Sequence, residues 1–501
     1  MFFHLLCLAA AGVVTATPLN VGFDEKRVAA DAVPLDRQLM SLSIEFGNTL
    51  DFFGDIGKPN LFSKQLLQNV VDRSHSPAIL RIGGNTQDRA DFCENCNETL
   101  KRIVKNDPND PKTTEALAVT FNKNLFSVLT DNVPQNSPII FGLNFRNNTY
   151  SIAQAEVDGA LKYLDQSVVM AYELGNEVNL YGPFRPSGYN AKAYASQMRD
   201  WLPRLRERST SHVRFQFPSF AGPPQDFNSD LTIAELVKLG VPQSIPGIEY
   251  YSVHGYPYNI CSAADAARVN LTNFLDHRKT KNLINQYSAE IAASQSMGKE
   301  MHMGETGSVA CHGKDGVSNT LGAALWELDY ALSGASAGIG RFFFHMGQGD
   351  FYYSMWEPVG TPLNPGPHIH PTYYAMLFMA DVVGDLTAPK VAPITSRDTS
   401  SAVHFAIFDG DKIQKLILLN TQFATSGSNR TSLDFDVKSI LGANLEVRRL
   451  TGAYSAAKTG VTWAGQSADS AGKIVGDQKV ERINNGVVTL LASEAVLVER
   501  Q

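Results

Sequence analysis

Apolar positions come in two kinds of run along this chain. Nearly continuous runs, rich in β-branched and aromatic residues, recur at Ser41–Phe46, Ala78–Ile82, Pro138–Phe145, Val168–Leu174, Val213–Phe217, Ile248–Val253, Glu300–Met303 and Ile339–His345. Strands buried on both faces read this way, because neither face needs polar positions. Between them, apolar spacing near 3.6 predicts helices over Leu61–Arg73, Thr113–Thr130, Ala153–Leu164, Ala191–Arg208, Leu231–Leu239, Asn270–Met297, Ser318–Ser333 and Pro371–Val383. Pro371 suits a helix start, where its missing N–H costs nothing. Eight strand–helix units predict an α/β fold, a (β/α)8 TIM barrel over residues 41–388. The competing doubly wound sheet is disfavoured by the count of eight and by the lack of G-x-G-x-x-G after the first strand.

Beyond Pro389 the period changes. Val403–Phe408, Lys415–Asn420, Leu433–Val437, Leu445–Leu450, Lys479–Ile483 and Val487–Leu491 read as short strands punctuated by Gly, Ser, Asn and Asp. Residues 389–501 are therefore expected to form an all-β sandwich. The segment 17–40 precedes the barrel and can add a strand to that domain.

Composition narrows the setting. Charged residues are 19% of the 501, below the ~25% usual for soluble domains, as expected of a chain with many doubly buried strands. The net charge of −7 argues against a nucleic-acid partner. Met1–Ala16 has no Asp, Glu, Lys or Arg, an apolar run and a small-residue end, the pattern of a signal peptide. Secretion to the extracellular space is expected, with no later membrane span. Four cysteines follow the leader, Cys93, Cys96, Cys261 and Cys311, an even number that suits two disulfides in an oxidising compartment. Of three pairings, Cys93–Cys96 as a local clip and Cys261–Cys311 as a long-range tie is favoured. Asn-x-Thr sequons at Asn97, Asn147, Asn270 and Asn429 are candidate glycosylation sites.

In such a barrel the chemistry lies at the C-terminal ends of the strands. The fourth run ends in Leu174-Gly175-Asn176-Glu177 and the seventh in Met303-Gly304-Glu305-Thr306. Each puts a carboxylate just past a strand beside a glycine, where a bulkier neighbour would crowd a substrate. Two carboxylates facing one cavity suit glycoside hydrolysis. One protonates the departing oxygen, and the other attacks the anomeric carbon.

These two motifs resemble the acid/base and nucleophile motifs of clan A retaining glycoside hydrolases. More narrowly, the chain resembles glycoside hydrolase family 79, the β-glucuronidases and heparanase. Leu80-Arg81-Ile82-Gly83-Gly84-Asn85-Thr86-Gln87-Asp88, Tyr251-Ser252-Val253-His254-Gly255-Tyr256, Gly316-Val317-Ser318 and Ala324-Leu325-Trp326 also match. The resemblance implies Glu177 as acid/base, Glu305 as nucleophile and Arg81 as the cation that keeps Glu305 ionised. It implies Asn176 on the sugar 2-OH, Glu45 and Asn85 on more distal hydroxyls, Tyr256 reaching the nucleophile and His254 framing the pocket. Tyr353, preferred over Tyr352, would contact the uronate end, and Trp356 could offer a stacking face. No metal and no organic cofactor are implied.

One stretch departs from the pattern. Heparanase-like relatives place a Tyr and two Gly after the nucleophile, where the uronate carboxylate is received. This chain has Ala310-Cys311-His312-Gly313. The expected activity is a secreted retaining exo-β-glucuronidase acting on (4-O-methyl-)glucuronate-containing glycans or glucuronides. The departure keeps other readings open: another exo-β-glycosidase such as a β-glucosidase or diglycosidase, an endo-acting heparanase-like enzyme, or, more remotely, a non-catalytic glycan-binding protein.

Overall fold

The computed structural model describes residues 19–21, 25–104, 115–227, 229–349, 351–360, 365–394 and 399–501. The expected leader, Met1–Ala16, lies outside the described residues. Eight parallel strands close into a barrel: β1 (Met40–Glu45), β2 (Leu80–Gly83), β3 (Ile139–Leu143), β4 (Val169–Leu174), β5 (Phe215–Gly222), β6 (Ile248–Gly255), β7 (Glu300–Thr306) and β8 (Ile339–Met346), with β8 pairing back onto β1. This is the predicted (β/α)8 barrel.

Alternation along the strands explains the continuous apolar runs. Outward residues such as Leu80, Ile82, Phe141, Tyr172, Phe342 and Phe344 pack under the helices in the main core. Inward, Ile79, Ile140, Ala171 and Phe343 form a separate apolar plug. Side chains two residues apart share a strand face. Two residues beyond Ile79, Ala171 and Phe343 stand Arg81, Glu173 and His345, all buried. The barrel interior thus turns from apolar to charged within one layer, toward the C-terminal ends of its strands.

Two predicted helices differ from the structure. In the described part of Thr113–Thr130, residues 115–130, the helix begins only at Asn124 and runs to Asp131, and Ala116–Phe121 is a strand. Ala116, Val119 and Phe121 are buried while Leu117 is exposed. The strand pairs with Ala90–Phe92 and Leu100–Val104 in a small sheet beside the barrel mouth. Asn270–Met297 is broken into a turn at Leu271–Asn273 and helices at His277–Asn285 and Ser288–Ser296. The Asp276 side chain caps the second piece by accepting from the Arg278 N–H.

The C-terminal domain is built on two main sheets, antiparallel except where Leu19–Asn20 joins in parallel. The larger contains Pro389–Pro393, Ala402–Asp409, Lys412–Asn420, Glu494–Arg500 and Leu445–Thr451, with Val33–Pro34 at one edge. Glu494–Arg500, a central strand, is one that the turn-punctuated pattern does not pick out. The smaller sheet is Ser432–Asp436 and Val487–Leu491, joined by Leu19–Asn20. Alternation again assigns the faces: Val403, Phe405 and Ile407 pack in the core shared with the barrel, while Ala402, Ala406 and Phe408 face the second sheet. No helix among the described residues is long and apolar enough to cross a membrane.

Candidate active site

Strand register brings the charged layer together. Ser43 on β1 lies between Arg81 on β2 and His345 on β8, and His254 on β6 lies beside Glu305 on β7. Arg81 is fully buried and saturated with acceptors. Its Nε and Nη2 donate to Glu173 Oε1 at 2.8 and 2.5 Å, Nη2 also to Asn176 Oδ1 at 2.8 Å, and Nη1 to Ser43 Oγ at 2.9 Å and Glu305 Oε2 at 2.7 Å. Gln216 Nε2 donates to the other Glu173 oxygen at 2.6 Å. A buried guanidinium is tolerated here because every face meets a carboxylate or another acceptor.

Glu305 is therefore fixed at both oxygens. Arg81 takes Oε2, and the Tyr256 hydroxyl donates to Oε1 at 2.8 Å. His345 Nδ1 lies 3.6 Å from Oε2, and its Nε2 lies 3.4 Å from Glu45 Oε2. Burial by itself would raise the Glu305 carboxyl, but His345, His254, Arg81 and the Tyr256 hydroxyl outweigh it and hold the group well below the usual carboxylate range. Burial likewise opposes charge on His345, yet Glu305 and Glu45 raise its pKa. Burial and then Glu305 push the phenols of Tyr256 and Tyr353 well above their ordinary value, so both remain proton donors.

Glu177 is held differently. It sits in a left-handed backbone conformation, φ 53°, just after β4; such strain in a non-glycine residue concentrates at functional sites. Its side chain leans on His254, whose Nδ1 lies 3.2 Å from Glu177 Oε1 and whose Nε2 contacts Ser219 Oγ at 2.7 Å. The side chain is 20% exposed against 8% for Glu305. One carboxylate oxygen of Glu177, one of Glu305 and a ring nitrogen of His254 all lie within 4.8 Å of one another. The glycines beside these carboxylates make room for protein, not substrate. A Cβ on Gly304 would strike Ser252 Oγ at 2.1 Å, and one on Gly175 the Tyr181 hydroxyl at 2.8 Å.

A cavity of about 780 Å³ opens over both carboxylates. Glu45 and Asn85 line it at one side. Glu45 Oε1 accepts from the Thr86 N–H at 2.8 Å and from the Thr86 hydroxyl. Asn85 joins Asn176 Nδ2 to Glu115 Oε1, at 3.3 and 3.0 Å. Phe351 and Tyr353 line the cavity and Tyr352 does not. Trp356, offered above as a stacking face, is fully buried and donates Nε1–H to Ser63 Oγ at 3.0 Å, so it is core. The loop that departs from the family pattern is tightly placed. Cys311 bonds to Cys261, Val309–Ala310 pairs in parallel with Tyr258–Asn259, and His312 stacks on Phe351 at 4.0 Å with its Nε2 3.2 Å from Glu115 Oε1. The other disulfide joins Cys93 and Cys96. Asn97, Asn147, Asn270 and Asn429 are all exposed.

Three residues of this site, Glu173, His345 and Glu115, escape the motif reading, and a fourth, Asp88, falls in the matching motif without a role there. Asp88 accepts N–H bonds from Phe145, Arg146 and Asn176 and the Tyr181 hydroxyl. Burial raises its pKa to about 6 against those bonds. Glu173 and His345 carry a usable signal, an ionisable residue at the next-to-last position of a barrel strand. Glu115 carries none.

An eight-stranded barrel with two carboxylates converging at its C-terminal rim is the architecture of a glycosidase, and relatives agree. The glycosyl hydrolase family 79 C-terminal β domain matches residues 404–497. A β-glucuronidase of Aspergillus niger is 27% identical over 523 residues, 92% of this chain and 90% of that protein. One of Neurospora crassa is 27% identical over 522 residues, 92% and 89% of the two chains. Among solved structures, a 4-O-α-L-rhamnosyl-β-D-glucuronidase from Fusarium oxysporum, in a Rha-GlcA complex, superposes with TM-score 0.79 at 25% identity, covering 94% of this chain and 98% of that one. A family 51 arabinofuranosidase from Xanthomonas axonopodis, 11% identical with TM-score 0.62, covering 94% and 97%, shares the fold. The protein is a glycoside hydrolase, and it is similar along nearly its whole length to β-glucuronidases and, in its C-terminal domain, to glycoside hydrolase family 79.

Proposed function

We propose that the chain is a secreted, retaining exo-β-glucuronidase with Glu305 as nucleophile and Glu177 as acid/base. The observation that carries this is the pair of carboxylate oxygens within 4.8 Å of one another, one group held ionised and the other partly exposed. Retaining enzymes keep the two carboxyl groups about 5–5.5 Å apart, whereas inverting ones need about 6.5–9.5 Å to admit a water. Glu305 attacks the anomeric carbon as the glycosidic C–O bond breaks, and Glu177 gives its proton to the departing oxygen. A water then attacks the glycosyl-enzyme, Glu177 takes that water's proton, and Glu305 leaves with the configuration restored. Asn176, its carbonyl oxygen held by Arg81, offers its amide to the 2-OH. The Glu115–His312 contact joins the small sheet to the loop after β7 and supports exo action, because a threaded polysaccharide would have to part it. Two disulfides and four exposed sequons support secretion.

A second reading, a neutral terminal sugar, has its own observation. Glu45, Glu115, Glu177, Asp226 and Glu305 line the cavity with no Lys or Arg among its described lining residues, and His312 is engaged by Glu115. Parallel rates on aryl β-glucuronide and aryl β-glucoside separate the two. A higher kcat/KM on the glucuronide is expected, and preference for the glucoside overturns the uronate assignment.

A further inference from the structure

Away from the carbohydrate cavity, the segment between β8 and the helix Thr372–Val383 folds into a short hairpin, β9 (Trp356–Glu357) and β10 (His368–Ile369), with Glu357 directly opposite His368. Directly opposed residues of an antiparallel pair share a face. His370, two residues on, shares that face, and its N–H extends the ladder to the Met355 carbonyl at 2.9 Å. Register alone therefore collects a carboxylate and two imidazoles.

The ring nitrogens are arranged as ligands. His370 Nδ1 lies 2.6 Å from the Ser354 carbonyl. A carbonyl only accepts, so Nδ1 carries the proton, and Nε2 of the neutral ring presents a lone pair. That Nε2 is 2.8 Å from His368 Nε2, which lies 3.8 Å from Glu357 Oε1. A backbone carbonyl fixing the far nitrogen is the usual support of a metal-binding histidine. Glu357 and His370 are buried, and the His368 side chain, 31% exposed, leaves a path from solvent.

We propose that Glu357, His368 and His370 form a binding site for one divalent transition-metal ion of the imidazole-seeking kind, such as zinc or nickel. An ion about 2.1 Å from both nitrogens would subtend roughly 84° at their 2.8 Å separation. That is nearer the angle between adjacent ligands of a two-His, one-carboxylate facial set completed by water than a tetrahedral one. The ion would brace the pocket indirectly. His370 holds the Ser354 carbonyl, the Ser354 hydroxyl donates to the Gly347 carbonyl at 3.0 Å and accepts from the Gly347 N–H at 3.1 Å, and Ser354 follows Tyr353 in the cavity wall.

Calorimetric titration of the chelator-treated full chain with Zn²⁺ is the test. One ion per chain at micromolar affinity or tighter is expected, with a raised melting temperature. His368→Ala, at a partly exposed position the fold should tolerate, and Glu357→Gln should each weaken uptake by more than about tenfold, while Glu305→Gln retains it. No uptake would leave a plain His–His hydrogen bond and overturn the proposal. Uptake undiminished by both hairpin substitutions, or lost in Glu305→Gln, overturns it too.

Discussion

Glu305 and Glu177 face the same cavity from different strands, and their surroundings differ in nearly every respect. Glu305 is the next-to-last residue of a barrel strand, with an arginine on one oxygen and a tyrosine hydroxyl on the other. Glu177 stands three residues past its strand in a left-handed turn, more exposed, leaning on a histidine. A nucleophile must be ionised and aimed before substrate arrives, and a cage of donors does both. An acid/base must change protonation twice per turnover and reach an oxygen that moves, so a loose hold and access to water serve it better.

Substitutions can break that contrast at either wall. Glu305→Gln should abolish turnover of aryl β-glucuronide, since no other group within reach can form the glycosyl-enzyme. Glu177→Gln should cost roughly 10²–10⁴ in kcat/KM. Added azide should restore turnover in Glu177→Ala by attacking the glycosyl-enzyme without a base, and should not restore retained product in Glu305→Ala. Rescue in the reverse order would exchange the two assignments.

Arg81→Met tests the cage as a structural element. It strands the buried carboxylates of Glu173 and Glu305, at a cost of about 3–5 kcal/mol, visible as a lower melting temperature. The pH dependence has a definite sign. Glu305 titrates below its unfolded value, so its ionised form stabilises the fold above the ordinary carboxylate range, and that contribution is lost as pH falls through the acid range. Wild-type melting temperature should fall on acidification, and Arg81→Met should fall less steeply.

Tyr256→Phe is the finest of these tests. Losing one hydrogen bond to a charged group, worth about 1.5–3 kcal/mol, should lower kcat/KM and move its acid limb to higher pH, because Glu305 becomes easier to protonate. The equivalent loss at the looser wall, Ser219→Ala behind His254, should leave that acid limb in place.

The barrel was legible because strands buried on both faces cannot hide their apolar runs, and the end-of-strand rule led directly to Glu177 and Glu305. Errors came where a pattern fits two periods. Ala116, Val119 and Phe121 match a helical face almost as well as a strand, and only pairing with Ala90–Phe92 and Leu100–Val104 decides. The supporting charges were harder to see. Glu173 and His345 sit inside runs that read as apolar, and their meaning appears only once the barrel closes and Arg81 reaches between strands. Glu115 meets His312 from nearly two hundred positions away in the chain, a juxtaposition no local pattern encodes. The glycines beside the carboxylates misled in another way: the crowding they avoid is from Ser252 and Tyr181.

The account stands most squarely on Glu305 forming a covalent bond to sugar. Incubation with a 2-deoxy-2-fluoro-β-glucuronyl fluoride, which slows breakdown of the glycosyl-enzyme, followed by peptide mass analysis, reads this out directly. One sugar per chain, on the peptide that carries Glu305, is the predicted result. A label on the Glu177 peptide, or an enzyme that turns over aryl glucuronide yet never acquires a label, would contradict it.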